Sequence, residues 1–317
     1  MRKTDVTQWN IAVLGAGTMG LSIAQLFAMN HHTVYLYNRT PANLEKALKQ
    51  IESNLHTLTD LGQFDEKNIP AAMGNIKGTS DLKSAAAAAD YVIENVAERE
   101  DVKQMIFSQL DEYCAEDTII ASDTSTMNIY DFVRISHPER LIISHFFNPA
   151  YVMPLVELVR GPETSDDTVN AVNALMESIG KKTAVLNKAI PGFILNRITM
   201  AVFREASYIA ENGWATPEDI DKAITSTFGP RYTFEGPFAL SDFAGIDVYE
   251  RLGILLPPVL NSSAECPPSL TELVKQGKLG VKSGEGFYRY DDPESAHRNR
   301  DTKIMKMIQA INAVNHS

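Results

Sequence analysis

The chain has 317 residues, 44% of them hydrophobic and 22% charged, which allows two domains of ordinary size and excludes extensive disorder. Its formal net charge of −11 argues against nucleic acid or an anionic membrane as a partner, so any phosphate or carboxylate of a ligand must be met by local donors. Two cysteines, Cys114 and Cys266, are too few for a disulfide framework, and without CxxC or HExxH spacing no metal site is expected.

The start, MRKTDVTQWN, lacks the apolar core of a signal peptide, and no apolar run reaches the roughly 18 residues of a membrane span. The expected compartment is the cytoplasm. Residues 11–14 form a short apolar strand running into Gly15-Ala16-Gly17-Thr18-Met19-Gly20. Residues 21–29 follow as an apolar helix and 33–37 as a second strand, which together make a βαβ unit. In that context GxGxxG gains meaning. Gly15 makes the tight turn, Gly17 admits a pyrophosphate to the backbone, and Gly20 allows close helix–strand packing. The helix N-terminus, with Thr18 and Met19 in its first turn, offers N–H donors to the phosphates.

An NAD-binding domain usually carries Asp or Glu at the end of the second strand, to hold the adenosine ribose. Here the residues are Asn38-Arg39-Thr40. Loss of the carboxylate removes repulsion against a 2′-phosphate, and Arg39 can pair with one, which favours NADP(H) over NAD(H). The competing reading makes Asn38 a turn residue and Arg39 a solvated side chain.

Residues 41–62 show helical spacing at Leu44, Leu48, Ile51, Leu55 and Leu58, an amphipathic arm. Short apolar strands follow at 91–93, 118–121, 141–144 and 155–159, separated by helix-like sequence, with the Ala85–Ala89 run as a helix interior. Near residue 190 the pattern changes to long helices, the first spanning 193–212, with Pro191 in its opening turn and Gly213 as its C-terminal cap. The expected fold is α/β: a Rossmann-type dinucleotide-binding domain over residues 1–190 with a mostly parallel sheet, then an all-α substrate and dimerisation domain over 191–317. Within the tail, Ile304, Met307, Ile308 and Ile311 sit at helical spacing.

His145 lies in Ser144-His145-Phe146-Phe147-Asn148-Pro149 at the end of an apolar strand, and Glu157 interrupts Leu155-Val156-Glu157-Leu158-Val159. Pro149 and Pro154 let the chain reverse between them. A carboxylate inside such a strand needs a partner. A His–carboxylate pair suits alcohol oxidation, in which the imidazole takes the hydroxyl proton while hydride leaves; a buried histidine with a structural partner fits the pattern equally well.

Seven ordered segments resemble the short-chain L-3-hydroxyacyl-CoA dehydrogenases: GAGTMG (15–20), VIENVAERE (92–100), ASDTSTMNI (121–129), SHFFNPAYVMPLVELVRG (144–161), PGFILNR (191–197), GPFALSDFAGID (236–247) and GKLGVKSGEGFYRY (277–290). The resemblance implies that His145 is the acid/base, Glu157 its partner, Ser125 a hydrogen-bonding group for the reacting oxygen and Asn196 a substrate contact. It places Glu98, Lys103 and Asn148 at the nicotinamide half of an NAD(P) cofactor. It further implies reversible oxidation of an L-3-hydroxyacyl-CoA to a 3-ketoacyl-CoA, a place in fatty acid metabolism, and a homodimer formed through the C-terminal domain. From the residues alone, Ser125 reads as a loop serine and Lys103 as a solvated helix lysine.

The sequence departs from that pattern at three places. Asn38-Arg39 replaces the usual aspartate. The arm lacks lysine over 56–64 and carries Asp60, leaving Lys46 and Lys49 to meet CoA phosphates. Arg231, in the segment 228–237, suits either a free carboxylate or a structural interdomain role. The alternative function is therefore a same-family dehydrogenase for a small non-CoA hydroxy acid or keto compound.

Overall fold

The computed structural model describes residues 5–315; residues 1–4 and 316–317, at the outer ends of the two expected domains, lie outside that range. By its internal contacts the chain separates into two compact units, 1–197 and 198–317.

In the first unit β1 (Ile11–Leu14), α1 (Thr18–Met29), β2 (Val34–Tyr37), α2 (Pro41–Asp60), α3 (Ile69–Gly74) and β3 (Ile76–Thr79) are followed by α4 (Leu82–Ala87), β4 (Tyr91–Glu94), α5 (Glu100–Tyr113) and β5 (Ile119–Ser122). β6 (Leu141–Phe146), β7 (Leu155–Arg160), α6 (Asp166–Ser178) and β8 (Lys182–Leu186) complete the sheet, and α7 (Leu195–Glu211) begins in this unit and continues into the next. The order is β3-β2-β1-β4-β5-β6-β7-β8, parallel throughout except at the antiparallel β6–β7 pair. This is the doubly wound arrangement with its switch point between β1 and β4. Successive strand residues face opposite ways, so each layer buries half of every strand. Ile11, Val13, Val34, Leu36 and Ile93 pack with α1, α2 and α6. Ala12, Leu14, Val92, Ile120 and Ile143 pack with α4 and α5. Being covered on both faces explains why these strands read as continuous apolar runs.

Two strands were not foreseen. β3 reads Ile-Lys-Gly-Thr and β8 Lys-Thr-Ala-Val-Leu, both flanking strands with partly exposed residues and little apolar continuity. The helix expected from 193 begins instead at Leu195, because Gly192 (φ 76°) and Phe193 (φ 49°) occupy the left-handed region. Pro191 therefore lies in the preceding turn and not in the helix. At the other end Gly213 (φ 69°) caps as expected, with the Trp214 N–H returning to the Ile209 carbonyl at 3.1 Å.

The second unit holds α8 (Pro217–Arg231), α9 (Pro237–Ala244), α10 (Ile246–Leu255), α11 (Pro268–Lys275) and α12 (Pro293–Asn315), with no strand among its described residues. Helices α8, α10 and α11 bury no residue. Phe238 and Phe243 on α9 are 87% and 82% exposed. On α12 Met305 is buried, while Met307 faces outward. Among the described residues, no helix is long and apolar enough to cross a membrane.

Candidate active site

A crevice of about 720 Å³ opens at the switch point, lined by the turns after β1 (Gly15, Gly17), β2 (Tyr37 to Thr40) and β4 (Asn95 to Ala97). The glycines show what it accommodates. Gly15 has φ +109°, and a Cβ there would stand 2.5 Å from the Asn95 carbonyl oxygen. A Cβ on Gly20 would meet the Gly15 carbonyl oxygen at 1.8 Å. Gly17 differs, because its Cβ would meet nothing within 4 Å. Its missing side chain leaves space in front of the α1 N-terminus, where Gly17 is the N-cap and provides no side-chain cap for the first-turn N–H groups. Free N–H groups facing an open crevice suit a pyrophosphate, so these residues fit a dinucleotide.

At the end of β2, the Asn38 side-chain oxygen accepts the Thr40 N–H at 2.9 Å, which makes Asn38 a turn residue. Arg39 is exposed and forms no ion pair with a described residue. Across the crevice Arg99 is held by both oxygens of Asp101, at 3.1 and 2.5 Å.

His145 and Glu157 are paired in register across β6 and β7. The imidazole Nδ1 lies 2.8 Å from Glu157 Oε2, and the His145 residue is 5% exposed. Phe147 and Phe193 flank the ring at 4.5 and 5.6 Å between centroids. Glu157 is fully buried, and its Oε1 accepts the Ile194 and Leu195 N–H groups at 3.0 and 2.9 Å. These donors stand at the start of α7, where helix N–H groups lack intrahelical acceptors. Burial pushes the Glu157 carboxyl up, but the imidazole and the two N–H groups outweigh it and hold the pKa below the ordinary value. An ionised Glu157 only accepts hydrogen bonds, which assigns the proton to Nδ1 of the neutral ring and leaves the Nε2 lone pair free.

Asn196 donates from Nδ2 to the Ser125 backbone oxygen at 2.9 Å. Ser125 in turn gives its N–H to Glu98 Oε1 at 3.3 Å. Asn148 follows β6 and is exposed. The solvated reading of Lys103 is wrong: the residue is 1% exposed, and its ammonium contacts Glu94 and Glu98. Lys103 falls on the face of α5 that also buries Ile106, Phe107 and Leu110, and that helical spacing was readable from the sequence. Asp123, at the end of β5, was also missed. Its Oδ1 accepts the Phe146 N–H at 2.7 Å, extending the β5–β6 ladder by a side chain. Burial, together with the Glu94 charge, holds its carboxyl well above the usual value despite that N–H.

Family models match most of the chain: the 3-hydroxyacyl-CoA dehydrogenase NAD binding domain over residues 10–189 and the 3-hydroxyacyl-CoA dehydrogenase C-terminal domain over 192–290. A 5-formyl-3-hydroxy-2-methylpyridine 4-carboxylate 5-dehydrogenase of Mesorhizobium japonicum is 35% identical over 94% of this chain and 96% of its own length. A probable 3-hydroxybutyryl-CoA dehydrogenase of Bacillus subtilis is 38% identical over 90% of this chain and 98% of its own. A crystal structure of a dehydrogenase acting on the same pyridine compound, described as an NAD+-dependent dismutase, superposes with a TM-score of 0.87. It is 33% identical and covers 96% of this chain and 98% of the other.

Proposed function

Since the chain belongs to the 3-hydroxyacyl-CoA dehydrogenase family of nicotinamide-dependent oxidoreductases, we propose that it interconverts an L-3-hydroxyacyl-CoA and a 3-ketoacyl-CoA. The observation that carries this reading is the buried His145–Glu157 pair, with Nδ1 committed to the carboxylate. The bound nicotinamide supplies the acceptor or donor of hydride. His145 Nε2 takes the substrate hydroxyl proton in oxidation and returns it in reduction. Glu157 fixes the tautomer and stabilises the imidazolium, and the two phenyl rings limit water around it. Ser125 holds the reacting oxygen and Asn196 contacts the substrate, while Glu98, Lys103 and Asn148 serve the nicotinamide half. The range 1–190 then carries cofactor and catalytic pair, and 191–317 carries substrate contacts and dimerisation.

The cofactor reading is NADP(H) over NAD(H), supported by the absence of a carboxylate at Asn38 and by an Arg39 guanidinium with no ion pair to a described residue. A homodimer through the helical unit is supported by its exposed apolar side chains, Ile254 at 68% and Val259 at 66% besides the two α9 phenylalanines, because large exposed apolar side chains are covered when an interface forms. Sedimentation of a monomer at micromolar concentration would reject the dimer. The expected compartment remains the cytoplasm.

A second reading, a small non-CoA hydroxy acid or keto compound, is favoured by α2. Lys49 is paired with Glu45 at 2.7 Å, and Asp60 stands exposed at the helix end, so of the two lysines expected to meet CoA phosphates Lys46 is the one with no ion pair to a described residue. The Mesorhizobium relative acts on a substrate of this non-CoA kind. Nicotinamide absorbance during incubation with acetoacetyl-CoA, with NADH and NADPH in parallel, separates the readings. Turnover supports the acyl-CoA reading. No turnover by protein that binds dinucleotide rejects it in favour of a free acid, for which Arg231 is the carboxylate-binding candidate.

A further inference from the structure

Glu94 ends β4 in the run Tyr91-Val92-Ile93-Glu94 and is fully buried. An unpaired charge there is strongly disfavoured, and every contact of its carboxylate is accounted for by a neighbour. Oε1 accepts the Val96 N–H at 2.7 Å and the Lys103 ammonium at 2.8 Å. Oε2 accepts the Ser122 hydroxyl at 2.7 Å and the same ammonium at 2.9 Å. The third ammonium contact goes to Glu98 Oε2 at 3.1 Å. The three polar contacts of Lys103 thus go to two carboxylates, and the ammonium joins buried Glu94 to Glu98.

Glu98 is less enclosed, its side chain 39% exposed. Its Oε1 takes the Thr124 hydroxyl and the Ser125 N–H, and the Thr124 oxygen in turn accepts the Met127 N–H at 3.0 Å. The path from β4 to the turn at Ser125 therefore has no gap. We infer that Glu94 is a positioning residue for the reaction: by gripping Lys103 with both oxygens it fixes Glu98, and through Glu98 the turn that carries Ser125. The inference rests on the assignment of Ser125 to the reacting oxygen. The Arg140–Asp111 pair serves a different segment. Arg140, 3.1 Å from Asp111, donates to the backbone carbonyls of Ala115 and Thr118, while Asp111 accepts from Ser136, and none of these contacts reaches Ser125.

Amide exchange measured by mass spectrometry over residues 123–128 tests the first half without substrate, in wild type, Glu94→Gln, Glu94→Asp and the control Asp111→Asn. Glu94→Gln should raise exchange at Ser125 and Met127 roughly tenfold, Glu94→Asp should restore part of it, and Asp111→Asn should leave it unchanged at comparable loss of thermal stability. The second half is a double-mutant cycle with Ser125→Ala. Glu94→Gln alone should lower kcat roughly tenfold with KM within about twofold, and in the Ser125→Ala background its effect should shrink to less than about twofold. Unchanged exchange at 125 and 127, or additive losses of kcat, would overturn the inference. Wild-type protein inactive on every acyl-CoA would overturn the assigned reaction instead, and the exchange result would still decide whether Glu94 holds the turn.

Discussion

His145 and Glu157 are direct cross-strand partners in the antiparallel β6–β7 pair, with imidazole Nδ1 2.8 Å from Oε2. The remaining carboxylate oxygen is taken by the Ile194 and Leu195 N–H groups. One glutamate thus orients the ring and anchors the start of α7. Changing His145 and changing Glu157 should accordingly have different consequences. His145→Gln should lower kcat by about 10²–10⁴ and leave dinucleotide affinity, read by fluorescence titration, within about twofold. Simultaneous loss of both would assign His145 a folding role.

Glu157→Gln should cost activity and stability together, since a buried group left without its partner costs about 1–3 kcal/mol. The folded pKa of Glu157 is depressed, so its contribution is present above the unfolded value of about 4.3 and is lost as pH falls through the folded one. In urea titrations the stability gap between wild type and Glu157→Gln should therefore narrow in acid. A gap that stays constant from about pH 7 to pH 3 would refute this account.

Asp123 works in the opposite sense. Its folded pKa lies well above the ordinary value, chiefly through burial, so its contribution is complete below the unfolded pKa and is lost as pH rises through the folded one. Asp123→Asn keeps an oxygen to accept the Phe146 N–H and removes the titration. The variant should melt higher than wild type at neutral pH, and the difference should vanish below about pH 4. Equal melting temperatures at both pH values would mean that the carboxyl is solvated when ionised.

Much of this was legible in the chain because parallel strands covered on both faces must be apolar throughout, and the glycine turn is bound to its strand and helix by steric need. The rule that exposes Glu157, a carboxylate interrupting an apolar strand, applies equally to Glu94 at the end of Tyr91-Val92-Ile93. The Lys103 position on the buried face of α5 was likewise visible in its spacing from Ile106, Phe107 and Leu110. What could not be read is long-range pairing. Nothing local in Ser125 or Asn196 reveals that one donates to the other across 71 positions. β3 and β8 were hidden because flanking strands bury too little to impose an apolar run.

The two crevice glycines should separate binding from folding. Gly17 has a negative φ of −76° and open space where a Cβ would stand. Gly17→Val should fold, at a cost of no more than about 1–2 kcal/mol at this helix N-cap, while dinucleotide affinity falls at least about a hundredfold because the side chain fills the phosphate position. Gly15→Ala should instead lower the melting temperature sharply, since it joins an unfavourable φ to a 2.5 Å clash with the Asn95 carbonyl oxygen. Gly17→Val with wild-type affinity would remove the crevice from consideration as the pyrophosphate site.

Arg39 provides the test of cofactor choice. It follows Asn38, whose side-chain oxygen is spent on the Thr40 N–H, so this turn presents one guanidinium and no carboxylate to the crevice. The facing Arg99 pairs with Asp101, which leaves Arg39 as the guanidinium of the two with no carboxylate partner among the described residues. A bidentate charge-assisted pair contributes about 1.5–3 kcal/mol, equivalent to roughly 10–150-fold in affinity. Arg39→Ala should weaken NADPH by about that factor and change NADH little. The double variant Asn38→Asp/Arg39→Ala should go further and invert the preference, because the new carboxylate repels the phosphate and can accept from the ribose hydroxyls of NADH. Wild-type protein that binds NADH more tightly than NADPH, with no response to Arg39→Ala, would show that the guanidinium stays in solvent and that the turn selects through the ribose alone.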